Sequence, residues 1–224
     1  MNDRNLSTRR NRQTSGQGRT TEFPRLLGGR LCLHFVNTVE GPRSDHPVDF
    51  LTTYADLVKW SRHAGALEQS EADSLLAVAQ SRAPDAEAVF TRALALRGAI
   101  EGVFRRIAHS ELPLEADVAL LQEEYAAALA NARLTPSGTG YAWSWDHRPR
   151  ELSRPLWLVA ESAARLLTEG ELSRIKECPG AGDCGWLFYD TSRNGRRRWC
   201  SMEGCGSRVK TRRQYARRQG THRA

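Results

Sequence analysis

Hydrophobic positions along this chain fall into blocks separated by polar punctuation, and their spacing changes from block to block. Residues 1–22 hold Leu6 as the one large apolar side chain after Met1, in a background of Arg, Asn, Gln, Ser, Thr and Gly. Such a segment cannot bury enough surface to offset its ordering entropy, which predicts a disordered basic tail. After Gly28-Gly29, the run Arg30-Leu-Cys-Leu-His-Phe-Val-Asn37-Thr-Val is rich in β-branched and aromatic residues and predicts a strand over 30–39. Gly41-Pro42 turns the chain, and Asp49 stands where it could cap a helix carrying Phe50, Tyr54, Leu57 and Val58. Ser70 with Asp73 resembles a capping box ahead of Leu75, Leu76 and Val78. A long helix opened by Pro84-Asp85 then places Val89, Phe90, Ala93, Leu96, Ile100, Val103, Phe104 and Ile107 on one face, and Pro113 begins a fourth with Val118, Leu121, Tyr125 and Leu129.

Helical periodicity ends at Leu134. Thr135-Pro-Ser-Gly-Thr-Gly140 is a turn cluster, and Tyr141-Ala-Trp143-Ser-Trp145 alternates with a period of two, which predicts a hairpin pairing with the 30–39 strand. Ser153 and Pro155 begin a further helix through Trp157, Val159, Ala163, Leu166 and Leu167, ending near Gly170. The expected class is α+β: a mostly helical N-terminal domain over 24–170 with a small β-sheet or hairpin. No repeat of 20–50 residues interrupts it.

Length and charge sharpen this picture. The chain has 224 residues, 40% of them apolar, enough for a large domain and a small module. No apolar run approaches the roughly 20 residues of a membrane span, and the N-terminus lacks a secretory h-region, so a cytoplasmic, reducing setting without disulfides and without a membrane partner is expected. The net charge is +7, and residues 177–224 alone hold 11 Lys+Arg against 4 Asp+Glu, so the whole excess lies there. Lys59, Lys176 and Lys210 are the only lysines, which makes the terminal charge almost entirely arginine, the side chain suited to bidentate phosphate contacts.

Beside that charge stand four of the five cysteines, Cys178, Cys184, Cys200 and Cys205, spaced C-x5-C-x15-C-x4-C. Two close pairs separated by a longer segment let a knuckle and a helix start converge on one ion, and structural zinc wants four thiolates in a tetrahedron. Proline and glycines between Cys178 and Cys184 supply the tight loop, Trp186-Leu-Phe-Tyr189 reads as the strand leaving it, and Val209–Gln219 can form a helix. That order predicts a small treble-clef-like finger at 177–213 around one structural Zn2+, followed by a basic tail at 214–224. Cys32, in its apolar run, is expected in the core. Trp186, Phe188 and Trp199 are expected to form the finger's own small core rather than to stack on bases.

The segments Cys184-Gly-Trp-Leu-Phe-Tyr-Asp190-Thr-Ser192-Arg-Asn194, Arg197-Arg-Trp199-Cys200-Ser-Met202 and Cys205-Gly-Ser-Arg208-Val-Lys210 resemble the CGNR zinc finger proteins. Their N-terminal ABATE domain is echoed by Gly28-Gly-Arg-Leu-Cys-Leu-His-Phe-Val-Asn37-Thr38 and Asp56-Leu-Val-Lys-Trp60. The resemblance implies a bacterial, stress-responsive transcription regulator with a zinc-binding, DNA-binding finger. Ser207 stands where the family signature has Asn, and His34 where the family strand has Asp.

DNA is thus the expected partner, held by Arg193, Arg196, Arg197, Arg198, Arg208, Lys210, Arg212 and Arg213 as phosphate contacts. Val209 and Ala216 are expected to turn inward from the C-terminal helix. His34 and Asn37, with Glu40, form a candidate ligand pocket for a small-molecule or protein signal, and a homodimer is expected by analogy with other DNA readers. The helix at 153–169 would join domain and finger and pass the signal. No catalytic motif stands out, and four thiolates leave zinc no open position, so an enzyme is not expected. The runner-up is a zinc-thiolate protein-interaction, RNA-binding or redox-responsive module.

Overall fold

In a computed structural model, residues 23–180 and 184–220 are described, with side chains as far as Ala216. The basic tail expected at 1–22 lies outside the described residues, as do the last four of the tail expected at 214–224. The described part of that second segment is instead the end of a helix. Seven helices and three small antiparallel hairpins make up the described chain.

Its centre is α4 (Ala83–Ala108), 26 residues and so roughly 39 Å long. Pro84 sits in its first turn, where the missing N–H costs nothing. Val89, Phe90, Ala93, Leu96, Ile100, Val103 and Phe104 are all buried along it, the stripe predicted from their spacing. Around it pack α1 (Leu31–Val36), α2 (Tyr54–His63), α3 (Gln69–Ser81), α5 (Glu115–Ala130) and α6 (Arg154–Glu169). None of the described helices is long and apolar enough to cross a membrane.

The strand expected over 30–39 is replaced by α1, with only Val39–Glu40 extended, as β1, paired to β2 (Val48–Asp49). Cys32, Leu33, Phe35 and Val36 are all buried between α4 and α6. A short helix packed on most sides reads as an unbroken apolar run, which periodicity cannot distinguish from a buried strand. Asp49 does not cap α2. It lies in β2, where its carboxylate accepts from Leu51 N–H at 2.9 Å and from Arg97 at 2.8 Å. Thr53 and Asp56 form the capping box of α2, and Glu68 with Glu71, rather than Ser70 with Asp73, that of α3. Pro113 precedes its helix by two residues.

The predicted hairpin exists as β3 (Arg133–Ser137) and β4 (Gly140–Ser144), but it pairs only with itself. The 30–39 segment, being helical, offers it no edge. The C-terminal part begins with a 3-10 turn at Leu172–Arg174 and the hairpin β5 (Ile175–Glu177) with β6 (Leu187–Tyr189). A turn of π-helix, Met202–Gly206, leads into α7 (Ser207–Gly220). Alternate residues of β6 serve two cores. Leu187 and Tyr189 join Ile175 in the main helical core, while Phe188 packs on Cys178, Cys200 and Cys205.

A metal centre and a basic helix

The β5–β6 hairpin places Cys178 at the end of one strand and Cys184 just before the next, and Cys178 N–H donates to Trp186 O at 2.8 Å to close the knuckle. Gly180 has φ +50, and a Cβ on it would lie 2.6 Å from the Cβ of Cys184, so the turn requires glycine. Cys200 and Cys205 arrive from the other side. Ser201 Oγ accepts from Gly204 N–H at 3.2 Å, which shapes the turn that delivers Cys205 to the start of α7.

All four sulfurs lie within 4.8 Å of one another, with Cys184 to Cys200 at 3.6 Å and Cys200 to Cys205 at 3.7 Å. A disulfide needs about 2.05 Å, whereas a zinc tetrahedron with bonds of ~2.3 Å has edges of ~3.8 Å. Electrostatics point the same way. Thiol hydrogen bonds from Cys184 and Cys200 push Cys178 far below the usual thiol value, helped by N–H groups of Cys200 and Gly180. Beside that thiolate, Cys178 drives Cys184 upward, and Cys178 with Cys184 drives Cys200 upward, with burial adding to both. Only a cation would let all four sulfurs ionise in so small a volume, and four sulfurs with no carboxylate or imidazole suit zinc.

The wider chain fits this centre. Residues 29–170 match ABATE, described as a putative stress-induced transcription regulator, and residues 174–218 match the CGNR zinc finger. The chain belongs to the ABATE family. No curated protein matches it. The four cysteines of its CGNR finger form a site for one structural zinc ion.

Asp190 is the residue that orders the finger's arginine-bearing loop, and it was not among the expected site residues. Fully buried, it accepts from Lys176 Nζ at 2.6 Å, Ser192 N–H at 2.9 Å, Ser192 Oγ at 2.6 Å and Arg197 N–H at 2.8 Å. Burial alone would raise its pKa, yet these donors outweigh it and hold the carboxyl well below the usual carboxylate range. Asp190-x-Ser192 is an Asx-turn pattern and was the available signal.

The expected phosphate contacts divide. Arg197 turns inward: its guanidinium lies 4.6 Å from the Phe188 ring centroid and donates to Trp199 O at 2.9 Å, Leu27 O at 3.3 Å and Cys200 O. Arg193, Arg196 and Arg198 are exposed, Arg198 over the Trp199 ring at 5.2 Å. On α7, Arg208, Lys210, Arg212 and Arg213 are exposed. Val209 is half-buried, but Ala216 is exposed rather than turned inward.

The ABATE domain grips the finger through β6 and its surroundings, not through α6 as expected. The Asn37 side chain donates to Leu187 O at 2.8 Å and accepts from Leu187 N–H at 3.0 Å, the two bonds a neighbouring strand would make. Gly28 O accepts from Tyr189 N–H at 2.8 Å, and Trp186 Nε1 donates to Val39 O at 2.8 Å. Glu177, whose side chain is 5% exposed, meets Arg43, Arg105 and His109. His34 Nδ1 accepts from Gly28 N–H at 3.0 Å, and burial, then the nearby charge of His63, lowers its pKa to about 4. His34 and Asn37 are therefore spent on internal bonds. Glu40 instead lines a cavity of about 510 Å³ between domain and finger, with Phe23, Phe50, Trp186, Cys184 and Arg208.

Proposed function

We propose that this ABATE protein is a DNA-binding transcription regulator of the cytoplasm and nucleoid, without enzymatic activity. The supporting observation is α7: a 14-residue helix anchored at Cys205, with Arg208, Lys210, Arg212 and Arg213 exposed. A helix with so little apolar surface gains little from packing on its own protein and suits an aqueous, anionic partner such as a DNA groove. Zinc holds its first turn rigid. Arg193, Arg196 and Arg198 extend the cationic surface along the 191–199 loop, which Asp190 fixes. The inward Arg197 serves that surface indirectly, by tying the loop to the Cys200 segment. The cavity beside Glu40 and Arg208 lies where a small-molecule signal would touch both units.

Fluorescence anisotropy of zinc-loaded protein on duplex DNA fragments, titrated between about 50 and 200 mM salt, tests the reading. Binding should weaken steeply with salt, and joint replacement of Arg208, Lys210 and Arg213 by Ala should flatten the log–log slope by up to ~2.7, about 0.9 per lost phosphate contact. Absence of salt-sensitive binding to any fragment refutes it, and RNA or protein capture by the same surface would support the zinc-thiolate interaction module instead.

A further inference from the structure

Three large apolar side chains are exposed on the β3–β4 hairpin: Leu134 is 57%, Tyr141 73% and Trp143 44% exposed. The register pairs Leu134 with Trp143 and Pro136 with Tyr141, so these four share one face. The hairpin has little contact with the rest of the described chain. It is tethered by Trp145, buried just beyond β4, whose Nε1 donates to Ala128 O at 2.7 Å.

Its two edges differ. The turn is the two-residue Gly138-Thr139 with Gly138 at φ +59, closed by the Ser137–Gly140 pair. In a hairpin of this length the closing pair is hydrogen-bonded, and the pattern alternates from there. The N–H and C=O groups of residues 134, 136, 141 and 143 therefore point outward. On β3, Pro136 removes one of those donors, the usual device that blunts an edge. On β4, Tyr141 and Trp143 keep theirs, and among the described residues no strand pairs with that edge.

We infer that β4 is a self-association seam, joining antiparallel to β4 of a second copy of this chain across a two-fold axis at Ala142. That register uses both outward-facing residues, setting Tyr141 of one copy opposite Trp143 of the other and forming four backbone hydrogen bonds. It builds a four-stranded sheet with one continuous apolar face. A two-fold interface must be self-complementary, and an uncharged face beside an open edge meets that condition. Pairing along this one edge covers the β4 backbone and the flanks of Tyr141 and Trp143 while leaving the apolar face itself open, an area below the ~1,000 Å² of a standard specific interface, so the association is weak. The expected dimer is accordingly concentration-dependent, and it does not depend on the DNA reading.

Sedimentation velocity of the full zinc-loaded chain over a concentration series should show monomer passing to dimer. Trp143→Glu should raise the dissociation constant at least tenfold while circular dichroism and zinc content stay unchanged. Ala142 of the two copies would form a pair without hydrogen bonds, with Cα atoms about 4.5 Å apart, within disulfide reach. Ala142→Cys should therefore yield a covalent dimer on non-reducing gels, and Ala77→Cys, on exposed α3, should not. A wild-type chain that stays monomeric throughout, a dimer indifferent to Trp143→Glu, or equal cross-linking of the two cysteine variants overturns the proposal.

Discussion

Replacing Asn37 by Ala isolates the contact that ties the finger to the ABATE domain. Asn37 is 3% exposed and Leu187 fully buried, so no solvent substitutes for the lost amide. The variant leaves the N–H and C=O of Leu187 without partners, at about 1–3 kcal/mol for each buried group. The expected loss is ~2–6 kcal/mol, a large fraction of the 5–15 kcal/mol typical of a domain. For a chain of this length, at about 2–4 °C per kcal/mol, that corresponds to a melting midpoint lower by roughly 4–24 °C. Thermal denaturation with saturating zinc measures the global cost, and hydrogen exchange at the Leu187 amide measures the local one. Asn37→Asp separates hydrogen bonding from shape: one oxygen still accepts from Leu187 N–H, while the other faces a carbonyl oxygen. It should be worse than Ala at neutral pH and recover on acidification as the buried carboxyl protonates. A midpoint shift under 2 °C in Asn37→Ala, with the Leu187 amide still protected, refutes the clasp.

Metal analysis of the purified chain should give one zinc per molecule, retained in Cys32→Ser and lost in Cys205→Ser, since Cys32 lies in the helical core. Arg197→Ala should lower the melting midpoint by several degrees through its lost carbonyl contacts, whereas Arg213→Ala should weaken DNA binding and leave stability unchanged; the reverse pattern in melting and anisotropy would show the two roles misassigned. Asp190→Asn should destabilise the finger by an amount that is flat from pH 5 to 8. The folded carboxyl titrates below its unfolded value of about 3.9, so its contribution is fully present above that value and is lost only as pH falls through the folded one. A wild-type advantage that closes by pH 5 would contradict the burial and donors assigned to Asp190.

What the chain reveals before folding depends on the range of the interaction. The stripe of α4 is legible because periodicity repeats over 26 residues, and the cysteine quartet because metal ligands must come in a narrow set of types and spacings. Asn37 was picked out, but as a pocket residue. Its partner Leu187 lies 150 positions away, and nothing local distinguishes an amide that binds ligand from one that completes a strand edge. Arg197 looked like its neighbours Arg196 and Arg198 because a run of arginines carries no mark of which one meets the Phe188 ring and the Cys200 carbonyl. The six residues of α1 misled for a different reason. Burial on several sides erases the polar positions that would have shown its period.

The alternation along β6 bears on how the two family units can be combined. A finger excised at residue 174 would expose Ile175, Leu187 and Tyr189, and the same cut would open a hole in the helical core that they fill. The finger is thus no transferable cassette: grafted onto another scaffold it would need a substitute for that apolar face and for Asn37. Zinc affinity and the folding of the helical domain are correspondingly linked quantities, so a chelator should lower the melting temperature of helices that never touch the metal.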